Sequence, residues 1–197
     1  MQTSERQKEI IQAAFDLISE QGIQELTIKK IAQVVGVTEP AIYRHFTSKV
    51  DILSAVIDEM VAQRNAAFLR CGIGSGTARD MIRSFFAVQA SFFESNPSLS
   101  IMLFPEDLFR NNADLLGRAT SMMDETLARF RELLLAGIDE GSLKPGVDCE
   151  AGALMLVGGF RLLVASWRLD AGTGTGAGGL ETDTARFMEG VLSLISR

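Results

Sequence analysis

The stretch from Thr27 to Phe46 has room for little besides two short helices and a tight turn. Thr27 is a helix-capping residue, Ile28, Ile31 and Ala32 share one helical face, and Gly36 stands where that helix must stop. Thr38 caps the next helix, which tolerates Pro40 in its first turn and is spent by Phe46. At about seven residues, or ~10 Å, it is too short to persist without tertiary support. That support is predicted on both sides. Ser4 and Gln7 form a capping box ahead of the stripe Ile10, Ala13, Ala14, Leu17, Ile18, which ends at Gly22 in a left-handed C′ position. Ser48 and Asp51 open a fourth helix, whose stripe Leu53, Val56, Ile57, Met60, Val61 runs on towards Phe68. No proline or glycine interrupts it before Gly72, so it is predicted to be a rod of ~30 Å.

Further helices are expected near 77–95, 97–109, 112–140, 148–169 and 180–196, with irregular entries at Pro97 and Pro105. Gly141–Gly146 reads as a turn and Ala171–Gly179 as a glycine-rich loop. Twelve Phe and eight Met against one Tyr favour helices over a β-sandwich, and 47% hydrophobic residues exclude a largely disordered chain. The expectation is an all-α protein, with a three-helix helix-turn-helix domain over 1–48 and a second helical domain over 49–197.

Enzyme chemistry finds little to work with. His45 is the only histidine, so any nucleophile–histidine arrangement must run through it, and no nucleophile signature lies nearby. Cys71 and Cys149 lack metal or disulfide spacing and read as free thiols of a reducing cytoplasm. No catalytic residue, metal or cofactor is expected. The opening segment has no signal-like apolar run, and the longest apolar stretch, Ala151–Phe160, is shorter than the ~18 residues of a membrane span. The chain is therefore expected to be cytoplasmic, with no membrane partner.

Two short helices across Gly36-Val37, after a longer one, make a helix-turn-helix pattern. A major groove about 12 Å wide admits one helix, whose N-terminal residues reach the base edges. Here these are Thr38, Glu39, Pro40 and Ala41, followed by Tyr43 and Arg44. Thr27 with the second helix's free N–H groups, Lys29, Lys49 and the Tyr43 hydroxyl are placed to hold phosphates. A buried aromatic is the other role open to Tyr43. The net charge is −6, yet residues 1–50 hold six basic and six acidic side chains, so the excess acid lies beyond the helix-turn-helix.

Residues 26–53, LTIKKIAQVVGVTEPAIYRHFTSKVDIL, closely resemble the DNA-binding segment of the tetracycline-repressor (TetR) family of bacterial regulators. The likeness lies in Leu26-Thr27, Ile31-Ala32, Gly36-Val37, Tyr43-Arg44-His45-Phe46 and Ser48-Lys49, and is strong over about residues 4–70. It implies base- and phosphate-contacting roles for Thr27, Lys29, Thr38, Glu39, Pro40, Ala41, Tyr43, His45 and Lys49, with Arg44 beside them. Glu39 is chemically suited to a cytosine amino group and Ala41 to a thymine methyl. His45 has two roles open, packing at the end of its helix or titrating near neutral pH. The resemblance also implies a homodimer on a double-stranded operator, joined through its last two helices, and repression relieved by a small-molecule effector.

Large side chains of the second domain are expected mostly as core, with Phe86, Gln89, Phe93, Met102 and Phe104 as candidate effector contacts. Met122, Phe130, Phe160 and Trp167 complete that set, and its sparse polarity favours an apolar ligand. Glu94 is the polar neighbour suited to a cationic one. Gly152, Gly158 and Gly159 suggest close helix approach, at a dimer seam or a ligand, or a kink. The expected dimer contacts are Gly152, Gly159, Phe187, Val191 and Ile195. Two rival functions stand beside the effector-released repressor: a ligand-independent architectural or nucleoid-associated DNA binder, and an adaptor that docks a protein on its acidic face.

Overall fold

The computed structural model describes residues 4–72, 76–104, 109–173 and 179–196. Among these, eight α-helices follow one another: α1 (Glu5–Gln21), α2 (Ile28–Val35), α3 (Glu39–Tyr43), α4 (Lys49–Gly72), α5 (Ala78–Ser95), α6 (Ala113–Asp139), α7 (Cys149–Thr173) and α8 (Leu180–Ile195). Short 3-10 turns cover Ile23–Glu25 and Pro97–Leu103. The sole β feature among the described residues is one antiparallel bridge, Leu143 with Ser196. The all-α expectation holds.

Two compact units emerge, and neither is one continuous stretch. The first takes residues 1–63 and 98–120, the second 64–97 and 121–197. A division at 48/49 is not where the packing divides, because α4 and α6 are single helices that each give residues to both units.

In the first unit, α1 begins with the Ser4–Gln7 capping box and buries Ile10, Ala14, Phe15 and Ile18. Gly22 ends it at φ 85° and ψ 157°, positive in φ but outside the left-handed helical region expected for it. Thr27 Oγ1 accepts from Lys30 N at the start of α2, and Gly36, at φ 74° and ψ 34°, closes that helix. Only a residue without Cβ takes this left-handed turn at no cost, so Gly36 sets the angle at which the chain enters α3. Ile31, Ile42, Ile52 and Val56 bury completely around the turn. The stretch after Pro97 is 3-10 rather than the α-helix expected, and Ser98 within it donates its hydroxyl to Asp16 of α1 at 2.8 Å. Arg118 of α6 binds Asp58 and Ser54 of α4.

The second unit is built on phenylalanine. Phe130 of α6 lies 5.1 Å from Phe85, 5.0 Å from Phe86 and 5.5 Å from Phe68, ring centre to ring centre. Phe86 meets Phe160 of α7 at 5.1 Å, and Phe160 meets Phe93 at 6.4 Å. This aromatic column runs through four helices. α8 is fastened at both ends: Glu94 of α5 accepts from Glu181 N at its first turn, and Lys144 Nζ reaches Leu194 O at its last. Both contacts complement the helix dipole.

Gly152 and Gly159 do mark close helix approach, but within the chain. A Cβ on Gly159 would stand 2.1 Å from Phe187 of α8, and one on Gly152 would stand 2.9 Å from Leu134 of α6. Gly158 faces open space, and α7 continues through both glycines without a break. Its uninterrupted apolar run is short, yet Cys149–Asp170 as a whole is long and apolar enough to cross a membrane. The excess apolarity lies on two faces. Ala153, Leu156, Phe160 and Val164 are buried by the chain itself, while Leu154, Met155, Leu162 and Leu169 are bare.

Candidate nucleic-acid interface

α3 is held by a single fully buried side chain, Ile42, so its remaining faces are available for contact. Thr38 precedes it as N-cap, but the threonine hydroxyl makes no capping bond; its carbonyl instead accepts from Ala41 N at 2.9 Å. The hydroxyl is exposed and can address a base or phosphate. Glu39 opens the helix, where its charge suits the positive end of the dipole. Pro40 lacks an N–H at a position where none would be bonded. Ala41 is half-buried, and Arg44 is exposed with no ion pair among the described residues.

Tyr43 is 51% exposed, which decides between the two roles open to it: it is a surface residue of the α3 end. His45 is exposed as well, and its backbone N–H alone bonds back, to Ile42 O at 2.9 Å. Packing at the helix end belongs to Phe46 instead, which turns inward.

Around α3 lie phosphate-competent groups. Thr27 satisfies Lys30 N, leaving the N–H groups of Ile28 and Lys29 as first-turn donors without a helical acceptor. Lys29 is exposed, whereas Lys30 is committed to Glu25 at 2.8 Å and Gln21 at 2.9 Å. That bond with Lys30 holds the Glu25 carboxyl below the usual carboxylate range. Lys49 rests its Nζ 3.4 Å from Ile23 O, half-buried at the start of α4.

The α4 start is a reciprocal cap: Ser48 Oγ accepts from Asp51 N at 3.1 Å, and Asp51 accepts from Thr47 N at 3.0 Å and from the Thr47 hydroxyl. The Thr47 hydroxyl bond, above all, keeps Asp51 below its ordinary value. A lowered folded-state value contributes stability above the unfolded value of about 3.9, lost as pH falls through the lowered one. Denaturation of wild type and Asp51→Ala over a pH series is expected to show a gap that is constant near neutrality and closes in acid below about pH 4.

The residues expected to touch an effector fall differently. Phe86, Phe93, Phe130 and Phe160 are buried members of the aromatic column, Gln89 and Met122 are buried as well, and Trp167 is half-buried on α7. Phe104 belongs to the first unit and is half-buried there; the Met102 side chain lies outside the described residues. The glycine-rich stretch before Gly179 also lies largely outside them. Glu94, suited on paper to a cationic ligand, caps α8. Sequence reasoning missed Arg64, which is buried on α4. Its signal was present: with Met60 before it and Phe68 after it, each four residues away, a cation occupies the apolar stripe of the rod.

Of the expected dimer contacts, Val191 and Ile195 are buried within the chain, and Phe187 is pinned over Gly159. Phe187 and Val191 also line an open groove of about 480 Å³ with Leu163, Gly190 and Leu194, edged by Asp183 and Arg186. The two cysteines are free, and burial pushes both thiols up.

The profile of the bacterial regulatory proteins of the tetR family matches residues 10–56. The nucleoid occlusion factor SlmA of Vibrio vulnificus is 30% identical over 132 residues, covering 66% of this chain and 67% of that one. The fatty acid metabolism regulator protein of Bacillus subtilis is 26% identical over 159 residues, 81% of each chain. In structure, the transcriptional regulator FadR of Bacillus subtilis, solved in complex with stearoyl-CoA, superposes with a TM-score of 0.79 at 24% identity, covering 94% of this chain and 97% of that one.

Proposed function

The chain belongs to the TetR family of bacterial regulatory proteins and is a DNA-binding transcriptional regulator, and from that premise we propose that it acts as a dimeric repressor, released from a palindromic operator by a long-chain acyl compound. The observation that carries the DNA side is the exposed edge of α3. Thr38, Tyr43 and Arg44 stand clear of a helix anchored by Ile42, with the first-turn donors of α2 close by in the same unit. The effector class is supported by the relatives concerned with fatty acid metabolism and by the apolar, aromatic make-up of the second unit. An effector coupling of ~1–3 kcal/mol, or about 5–150-fold in operator affinity, is enough for induction.

The dimer reading rests on α7. α7 is apolar on more than the face its own chain buries, and Leu154, Met155, Leu162 and Leu169 have no cover from that chain. Leu162→Asp is the informative variant, because Leu162 is 68% exposed whereas Val191 is 7% exposed and holds the chain's own core. Sedimentation is expected to find folded Leu162→Asp monomers with lost operator affinity; a persisting dimer refutes this face.

A second reading is favoured by the relative named as a nucleoid occlusion factor: nucleoid-associated DNA binding without an effector. Adding stearoyl-CoA to protein bound on its selected DNA separates the two. Release supports the repressor reading; undiminished binding across acyl chain lengths supports the second.

A further inference from the structure

Arg64 is 6% exposed, an unusual place for a guanidinium. Its Nη1 donates to Met122 O at 2.7 Å, an oxygen that also receives the Thr126 hydroxyl at 2.8 Å. Its Nη2 donates to Glu125 Oε2 at 2.7 Å and to Asn65 Oδ1 at 3.2 Å. The Nε is buried and has no acceptor among the described residues. An arginine presents Nε and Nη2 as the two prongs of one fork, and a carboxylate seated on it fills both. Here Glu125 reaches one prong only, from a side chain that is 61% exposed and open to exchange with water. One helical turn beyond Arg64, Phe68 enters the aromatic column, 4.3 Å from Phe85. A half-filled cationic fork therefore adjoins an apolar core, which is the chemistry of an amphiphile with one acidic head.

We propose that Arg64 receives the carboxylate of a long-chain acid, which displaces Glu125 and takes both prongs of the fork. The inference rests on the acyl-effector reading above and narrows it to the free acid, since the thioester of an acyl-CoA has no carboxylate to seat on the fork. Displacement also frees Glu125, on α6, from a residue of α4, the helix whose first residue, Lys49, was placed at the DNA-facing unit.

The test compares dodecanoate with dodecan-1-ol on the full chain, by displacement of a fluorescent fatty-acid probe. Wild type is expected to prefer the acid by about tenfold or more, the size of one charge-assisted hydrogen bond. Glu125→Gln removes the competing carboxylate from a mostly exposed position, so it is expected to bind the acid more tightly and the alcohol unchanged. Arg64→Lys, checked for fold by circular dichroism, keeps the charge but not the fork and is expected to lose most of the preference. Equal binding of acid and alcohol, or no change in Glu125→Gln, overturns the role of Arg64. Operator release measured in the same samples tells the two readings apart. Stearoyl-CoA is added in parallel: operator release by it without any preference for acid over alcohol keeps the acyl effector and removes Arg64, while an operator held against stearoyl-CoA and dodecanoate alike removes both.

Discussion

Operator affinity is expected to fall ~10³–10⁵-fold between about 50 and 200 mM salt, provided each subunit makes three or four phosphate contacts and a dimer about 6–8. Lys29, Lys49, Tyr43 and the first-turn donors of α2 are the groups expected to supply those contacts, whereas Lys30 is engaged by Glu25 and Gln21. Lys29→Ala is therefore expected to weaken binding to all sequences alike and to flatten the salt slope by about one for each subunit. Arg44→Ala has a different signature. An arginine that reaches a base edge costs ~1–3 kcal/mol on the preferred site and relaxes the choice of base at one position, with the salt slope nearly kept. Titrations on matched and scrambled duplexes at several salt concentrations separate these outcomes.

Phe130→Ala is expected to be the most damaging single change to the fold. Phe130 is fully buried and meets Phe68, Phe85 and Phe86 at once, so truncation opens a cavity that three helices would have to collapse to fill. Large aromatic truncations of this kind cost ~3–5 kcal/mol, against a total stability of about 5–15 kcal/mol. Calorimetry should find the melting temperature lower by about 6–20 °C for a chain of this size. A shift under about 3 °C would mean that the column is loosely packed, and that Phe130 was better described as a lining residue than as core.

The helix-turn-helix was legible because its signals are local. Ser4 with Gln7, Thr27, Gly36 and Ser48 with Asp51 each set a helix end through backbone chemistry within a few residues, and the structure uses every one of them. The exposure of Tyr43 and His45 was not legible, since a short helix can bury one or another of its faces, and Ile42 alone fixes which. The second unit was harder for a related reason. Gly159 announced a close approach, but only the fold reveals that the approaching group is Phe187 of the same chain. Glu94 looked like a ligand's counter-charge until α8 was brought to it. Val191 lies on the apolar stripe of α8 and Leu162 on a second apolar face of α7, and no periodicity tells which of these faces the chain covers itself.

The most direct measurement is affinity selection of genomic fragments by the purified full-length protein at about 150 mM salt, near physiological ionic strength, followed by sequencing. The expected result is enrichment of one palindrome whose half-sites lie ~34–36 Å apart or a multiple of that, and its loss with Leu162→Asp. Sequence-blind recovery, or the same palindrome held equally well by Leu162→Asp monomers, would contradict it.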